Sequence, residues 1–177
     1  MKATGIVRRI DDLGRVVIPK EIRRTMHIKE GAPLEIFTDT QGGVIFKKYS
    51  PVGELIDTTD QYCEVLNRSV NMPVLICDRD HVISVSGAPK REFAERRISE
   101  ALEDLMESRA SFFSENGEQL LPVEGVSHRA EIAVPIISSG DILGAVVLLS
   151  SENVRATQTD LKLAQVAASF LGKQMED

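Results

Sequence analysis

The charge of this chain changes sign near residue 50. Residues 1–50 hold ten lysines and arginines against six aspartates and glutamates, a net charge of +4. Residues 51–177 hold eleven against twenty-one, a net charge of −10, so the whole-chain value of −6 conceals two unlike parts. The change coincides with Ser50-Pro51-Val52-Gly53, which is typical of a turn or linker. A basic segment joined to an acidic one indicates a polyanion-binding part beside a part with another task. We therefore predict two domains, residues 1–53 and residues 54–177.

The overall composition excludes several other classes of protein. Hydrophobic residues make up 42% and charged residues 27% of the chain, which is typical of a globular protein. Cys63 and Cys77 are too few for a disulfide-based fold and lack the spacing of metal ligands, so we expect no metal or cofactor. The first residues contain no apolar signal segment, and the longest apolar stretch, residues 142–149, is far shorter than the ~20 residues that span a bilayer. We expect a soluble, cytoplasmic protein with no membrane contact.

The basic segment predicts a small β-β-α-β-β unit. Residues 6–10 and 15–18 are rich in β-branched side chains and predict two strands around a turn. Pro19 is suited to the first position of a helix over residues 20–27. Two further strands, 34–37 and 44–46, then form a hairpin. A unit of about fifty residues buries little surface alone, and here neither a disulfide nor a metal stabilises it. Pairing with a second copy is therefore expected.

Three motifs in this segment resemble the AbrB-type transition-state regulators. They are the run from Thr4 to Pro19 with its core Gly14-Arg15-Val16-Val17-Ile18-Pro19, the group Glu21-x-Arg23-Arg24, and the hairpin from Leu34-Glu35-Ile36 to Lys47-Lys48-Tyr49. The resemblance covers residues 1–50 almost without a gap. It implies a swapped-hairpin β-barrel, in which two chains interleave their hairpins into one dimer that binds double-stranded DNA. It also implies a transcription regulator active in endospore formation.

The candidate DNA-binding residues are five arginines, Arg8, Arg9, Arg15, Arg23 and Arg24. A guanidinium group is always charged and binds phosphate or a guanine edge as a bidentate fork. By resemblance to the family, Arg8, Arg15, Arg23 and Arg24 match arginines that contact DNA. Arg9 stands where relatives often have lysine, so we expect it to contact phosphate rather than read bases. Taken without the family pattern, the same arginines are compatible with a solvated face, and for Lys47 and Lys48 both interpretations stay open.

The acidic remainder predicts an α+β domain with an antiparallel sheet. The pattern gives a helix over residues 54–71, a hairpin of strands 74–77 and 81–85, a helix over residues 91–109, a loop over 114–125 with an Asn116-Gly117 turn, strands 129–137 and 142–149, and a helix over 160–173 that Thr159 caps. The strand sequences around Val74–Asp78 and Ala133–Val147 are similar in pattern to the GAF family. That resemblance implies small-molecule sensing or dimerisation, but no residue set identifies a ligand.

The final helix carries a possible contact between chains. Leu161, Ala164, Ala168, Leu171 and Met175 follow the alternating three- and four-residue spacing of a coiled-coil seam. Packing against the domain's own sheet explains the same spacing. We expect a dimer and, if the seam joins chains, a tetramer.

These features together predict a sequence-selective transcription regulator, not an enzyme, which binds duplex DNA as a dimer or tetramer. Whether it activates or represses transcription stays open. One alternative is a GAF-type thiol reductase that uses Cys63 and Cys77. A second is a swapped-hairpin antitoxin, although residues 55–177 are too apolar and periodic for the disordered toxin-binding tail that such proteins carry.

Overall fold

The structure, a computed structural model, describes residues 4–114, 118–152 and 154–176. It divides the chain into two compact units, Met1–Tyr49 and Ser50–Asp177. This division lies slightly before the boundary that the sequence predicts after residue 53. Ser50 caps the helix α2 (Pro51–Glu54), and Val52 within α2 is fully buried among residues of the second unit.

The first unit contains the predicted helix and hairpin. Helix α1 (Lys20–Thr25) follows Pro19, and strands β1 (Leu34–Thr38) and β2 (Val44–Lys48) pair antiparallel. The turn between the strands is held by the carboxylate of Asp39, which accepts hydrogen bonds from the backbone N–H groups of Gln41 at 2.8 Å and Gly43 at 2.7 Å. The predicted hairpin of strands 34–37 and 44–46 is thus confirmed.

The two strands predicted before α1 are wrong for the single chain. Residues 6–10 and 15–18 form no strand ladder within the described residues. Their apolar side chains are largely exposed, Val7 to 89%. The β-branched residues favour an extended backbone, but a strand also needs a partner for its N–H and C=O groups. The described part of this one chain does not supply that partner.

The second unit is a single antiparallel sheet with helices on both faces. Its strand order is β4-β3-β7-β6-β5. After α2, the elements in chain order are α3 (Ile56–Val70), β3 (Val74–Asp78), β4 (Val82–Ser86), α4 (Lys90–Phe93), α5 (Glu100–Ser108), β5 (Phe112–Phe113), β6 (Ala130–Ser138), β7 (Asp141–Leu149) and α6 (Gln158–Gln174). The predicted α+β fold with an antiparallel sheet is confirmed.

Alternate residues along each central strand enter two different hydrophobic cores, as a pleated sheet requires. On one face, Val74 and Ile76 of β3 pack in one cluster with buried residues of α3 and α6. On the other face, Leu75 and Cys77 pack in a second cluster with Phe93 of α4 and buried residues of α5. Both faces of β3 are therefore fully buried, which explains its continuous apolar sequence.

The predicted helix over residues 91–109 is in fact two helices. The chain leaves the helical path after α4, Glu95 takes a left-handed φ of 59°, and Arg97 and Ile98 form bridges with His81 and Val123. Ser99 then caps α5 by accepting a hydrogen bond from the N–H of Leu102 at 3.2 Å. Phe93, Ile98 and Leu102 nevertheless all enter the same core, on either side of the break.

Smaller differences concern element ends and one short strand. The helix predicted over 54–71 is divided at Leu55 into α2 and α3, and the short strand β5 was not predicted. Helix α6 is capped by Thr157 rather than Thr159, because Thr157 and Asp160 form a reciprocal capping box. The predicted Asn116-Gly117 turn lies outside the described residues.

The proposed coiled-coil seam of α6 faces the domain's own sheet. Ala164, Ala168 and Leu171 are buried there, and Leu161 and Met175 are partly buried against the same core. The interpretation of this seam as a contact between chains is therefore wrong. The reason is that the apolar stripe is already buried against the sheet of the same chain.

Candidate nucleic-acid interface

The five predicted arginines all lie in the first unit, on two neighbouring stretches of chain. Arg8 and Arg9 precede the turn at residues 11–14 and Arg15 follows it, while Arg23 and Arg24 lie on α1. Arg23 is half-buried, and the other four are exposed. Within the described residues, no side-chain hydrogen bond or ion pair occupies Arg8, Arg9, Arg23 or Arg24. These guanidinium groups are thus accessible to a polyanion.

Arg15 differs from the other four because its side chain is held by Asp11. The Nε of Arg15 donates to Oδ2 of Asp11 at 2.8 Å, while Oδ1 accepts from the backbone N–H of Arg15 at 2.8 Å and of Leu13 at 3.0 Å. The turn closes around Gly14, whose φ of 77° suits glycine. Two hydrogen bonds from Arg15 hold the pKa of Asp11 below its ordinary value, and the one from the backbone has the larger effect. The carboxylate is therefore charged at neutral pH.

Sequence reasoning placed Asp11 only in a turn and missed its contact with Arg15. The available signal was the spacing, since an aspartate four residues before an arginine, with a glycine between them, can contact it across a tight turn.

The structure gives one of the two lysines of β2 a contact within the hairpin. The ammonium of Lys47 lies 4.6 Å from the centre of the Phe37 ring, a cation–π contact within the hairpin.

The two cysteines of the second unit lack the environment of reactive thiols. Both are buried, and Cys63 donates from its Sγ to the carbonyl oxygen of Val74 at 3.3 Å. Burial, with a smaller effect from Asp60, raises the pKa of Cys63 to about 12, and burial followed by Asp78 raises the pKa of Cys77 as well. The thiolate is the nucleophilic form, so both sites are poorly suited to thiol catalysis.

Hydrogen bonds and ion pairs stabilise the start of the second unit and one of its loops. The hydroxyl of Ser50 donates to Oδ2 of Asp78 at 2.7 Å, 28 residues away in the chain. Arg97 binds Glu103 through Nη2 at 3.0 Å and Glu124 through Nε at 3.4 Å. Across the described residues, we find neither a cluster of potential metal ligands nor a helix long and apolar enough to span a membrane.

Comparison with known proteins assigns a family to each part of the chain. Residues 7–53 match the family described as antidote-toxin recognition MazE, bacterial antitoxin, and residues 54–176 match the C-terminal transcription-factor family of stage V sporulation protein T. Stage V sporulation protein T of Bacillus subtilis (strain 168) is 49% identical over 178 residues, which cover 99% of both chains. The chain belongs to the stage V sporulation protein T family. The prediction of a sporulation regulator that combines an AbrB-type and a GAF-like domain is confirmed at this level.

Further relatives resemble one part of the chain each. The transition state regulatory protein AbrB of the same organism is 59% identical over 51 residues, 29% of this chain and 52% of its own length. The GAF domain of Acinetobacter phosphoenolpyruvate-protein phosphotransferase has a TM-score of 0.55 at 10% identity, with 73% of this chain and 84% of that domain covered. A type II free methionine-R-sulfoxide reductase from Thermoplasma acidophilum has a TM-score of 0.53 at 14% identity, over 70% and 94%. Both structures establish the GAF-like fold alone.

Proposed function

We propose that this protein regulates transcription of sporulation genes in the cytoplasm by binding double-stranded DNA through residues 1–53, with residues 54–177 as a GAF-like assembly or sensing domain. The observation that carries the proposal is the set of exposed arginines on the basic first unit. The relationship to a sporulation protein that belongs to a transcription-factor family supports it. The acidic second part limits non-specific attraction to polyanions, because its charge opposes that of the first.

The arginines have the properties that duplex DNA requires. Binding to phosphate releases counterions and supplies most of the affinity, while an arginine fork on guanine supplies discrimination. In our proposal, Arg8, Arg9, Arg23 and Arg24 contact the DNA backbone or base edges, with Arg9 on phosphate, and Arg15 contacts bases. Arg23 and Arg24 are consecutive on α1, so their side chains leave the helix about 100° apart. Two such side chains are able to reach either side of one phosphate backbone.

Dimerisation through the first unit follows from what a single chain leaves exposed. Residues 6–10 and 15–18 have the composition of strands, but within the described chain they pair with no strand and most of their apolar side chains are exposed. A second copy supplies both the missing strand partners and the apolar contact. The 59% identity to AbrB over this region supports the swapped-hairpin arrangement that the motifs imply.

The second unit offers a separate face for assembly. Val65 of α3 and Val166 of α6 are 59% and 60% exposed, and the ring of Phe170 stacks on Tyr62 at 5.1 Å between centroids, which joins the two helices. Val65 and Val166 lie outside the buried stripes of their helices, so they are available to another chain. A tetramer built from two DNA-binding dimers follows if these faces pair. Both faces of the central sheet are filled by side chains, which favours assembly over ligand sensing.

Fluorescence anisotropy with the full chain tests the DNA-binding function. Labelled duplexes from the upstream regions of sporulation genes are compared with the corresponding single strands and with Arg15→Ala. We expect tighter binding to duplexes and a loss of roughly 5- to 160-fold with Arg15→Ala, since a bidentate arginine contributes roughly 1–3 kcal/mol of discrimination. Arg155→Ala, which removes one arginine from the second unit, is the matched control. Equal binding by wild type and Arg15→Ala contradicts the assignment of the site.

Light scattering tests the assembly role. We expect the wild-type chain to have the mass of a dimer or tetramer, and Val166→Glu to lower the mass of a tetramer to that of a dimer. A chain that remains monomeric at micromolar concentration contradicts the proposal.

A further inference from the structure

The turn that connects the predicted DNA-binding residues is built around one carboxylate. Oδ1 of Asp11 accepts the backbone N–H groups of Leu13 and Arg15 at 3.0 and 2.8 Å, and Oδ2 accepts the Nε of Arg15 at 2.8 Å. The backbone N–H of Asp11 also donates to the carbonyl of Arg15 at 3.1 Å, and Gly14 donates to the carbonyl of Asp11 at 3.0 Å. One oxygen therefore holds the turn, and the other holds the guanidinium.

This arrangement orients Arg15 without burying it. The side chain remains 69% exposed although its Nε is bound. A contact through Nε uses the side edge of the guanidinium, so the end edge with the two Nη groups remains for another partner. That end edge forms the bidentate pair with O6 and N7 of guanine. A side chain already held in one orientation loses less conformational freedom when it binds.

The other four arginines have no comparable restraint within the described residues. A mobile guanidinium is sufficient for phosphate, which is a contact repeated along every duplex and independent of sequence. Reading a base edge depends on the orientation of the planar group, because both hydrogen bonds must form together. Arg15 is thus the arginine of this unit that the structure prepares for base recognition.

We propose that Asp11 is a positioning residue that makes Arg15 a reader of guanine in the major groove, and so sets the selectivity of binding rather than its strength. The inference rests on the proposed function, since it requires that Arg15 contacts DNA. The charge of Asp11 partly neutralises Arg15, which lowers attraction to arbitrary duplexes. The low pKa of Asp11 keeps that charge in place at neutral pH. Asp11 thereby weakens non-specific binding while it favours the correct base.

Asp11→Asn separates the two tasks of the carboxylate. The amide oxygen of asparagine still accepts the backbone N–H groups that close the turn, but its NH2 group cannot accept from the Nε of Arg15. Asp12→Asn is the matched control, because it removes the same charge at the adjacent exposed position, where the Asp12 side chain makes no hydrogen bond or ion pair within the described residues. Thermal melting of each full-length variant verifies that the fold is retained.

The measurement is the ratio of affinities for two duplexes. One duplex is enriched from a random pool by the wild-type chain, and the other has the same bases in scrambled order. We expect Asp11→Asn to lower this selectivity ratio about tenfold, the lower part of the range for one bidentate pair. Asp12→Asn should leave the ratio within about twofold, since it changes only the non-specific electrostatic attraction. In an Arg15→Ala background, Asp11→Asn should lower the ratio no further.

The possible results distinguish this inference from the proposed function. If the wild-type chain enriches no duplex, or if Arg15→Ala binds with wild-type selectivity, the assignment of the DNA site fails and the inference fails with it. If Arg15→Ala loses selectivity but Asp11→Asn retains it, only the inference is overturned. The inference is also overturned if Asp11→Asn lowers the selectivity ratio as much in the Arg15→Ala background as in the wild type. The effect would then come from a change in the turn and not from the orientation of Arg15.

Discussion

The salt dependence of DNA binding tests whether the accessible arginines contact phosphate. Four arginines per chain, Arg8, Arg9, Arg23 and Arg24, have no described side-chain partner, so a dimer presents eight. If each neutralises one phosphate, the slope of log Kobs against log salt is about −7. Between 50 and 200 mM salt, such a slope lowers affinity roughly 20,000-fold. Arg9→Ala removes two contacts per dimer, which brings the slope to about −5 and the loss to roughly 2,000-fold.

The assay is anisotropy of the full chain with one labelled duplex at four or more salt concentrations. Arg68→Ala is the control, because Arg68 is 78% exposed on the second unit and pairs with Glu64 at 3.4 Å. We expect its slope to equal that of the wild type. The Arg9→Ala variant should also weaken binding to all duplex sequences by a similar factor, since phosphate carries no sequence information. A wild-type slope for Arg9→Ala would refute the reasoning.

Three further predictions concern the second unit. Gly144→Ala should destabilise it by about 3 kcal/mol or more in urea unfolding, because the added Cβ would overlap the carbonyl oxygen of Cys77 on the paired strand; wild-type stability would contradict this packing. Cys63 and Cys77 should react with a thiol reagent at pH 8 only after denaturation, because this pH lies below their raised pKa values and little of the reactive thiolate forms. Rapid labelling of the native protein would support the reductase alternative. Thr157→Ala should cost about 1 kcal/mol by loss of the α6 capping box, and an unchanged melting temperature would argue against that cap.

Much of the second unit could be predicted from periodicity. The apolar residues of this unit predict the strands β6 and β7 and the core positions Phe93 and Ile98. They do so because the apolar side chains of all these segments are buried against one sheet. The break between α4 and α5 could not be read in the same way. Ile98 and Leu102 are four residues apart, as on one face of a helix, yet Ile98 reaches the core from an extended segment bridged to Val123. Apolar spacing indicates which side chains are buried, but it does not indicate whether the backbone at those residues is helical or extended.

In the candidate site, too, the sequence indicated some features and not others. Its arginines and its basic charge could be read directly from the sequence. Two strands were also predicted on either side of the turn, but strand formation needs backbone partners that the described single chain does not provide. Residue types report propensity and charge, whereas pairing depends on what lies across from them.

The sequence by itself therefore determined the two-part layout, the basic character of residues 1–50, the α+β class of the remainder and the identity of the arginines. Only the tertiary structure decided that the apolar stripe of α6 packs on its own sheet and that Ser50 is tied to Asp78 across 28 residues. It also decided that Arg15 alone among the five is held by a described carboxylate. The physical reason is that charge and hydrophobicity belong to each residue, whereas a hydrogen bond or a buried contact requires two groups at a set distance and angle.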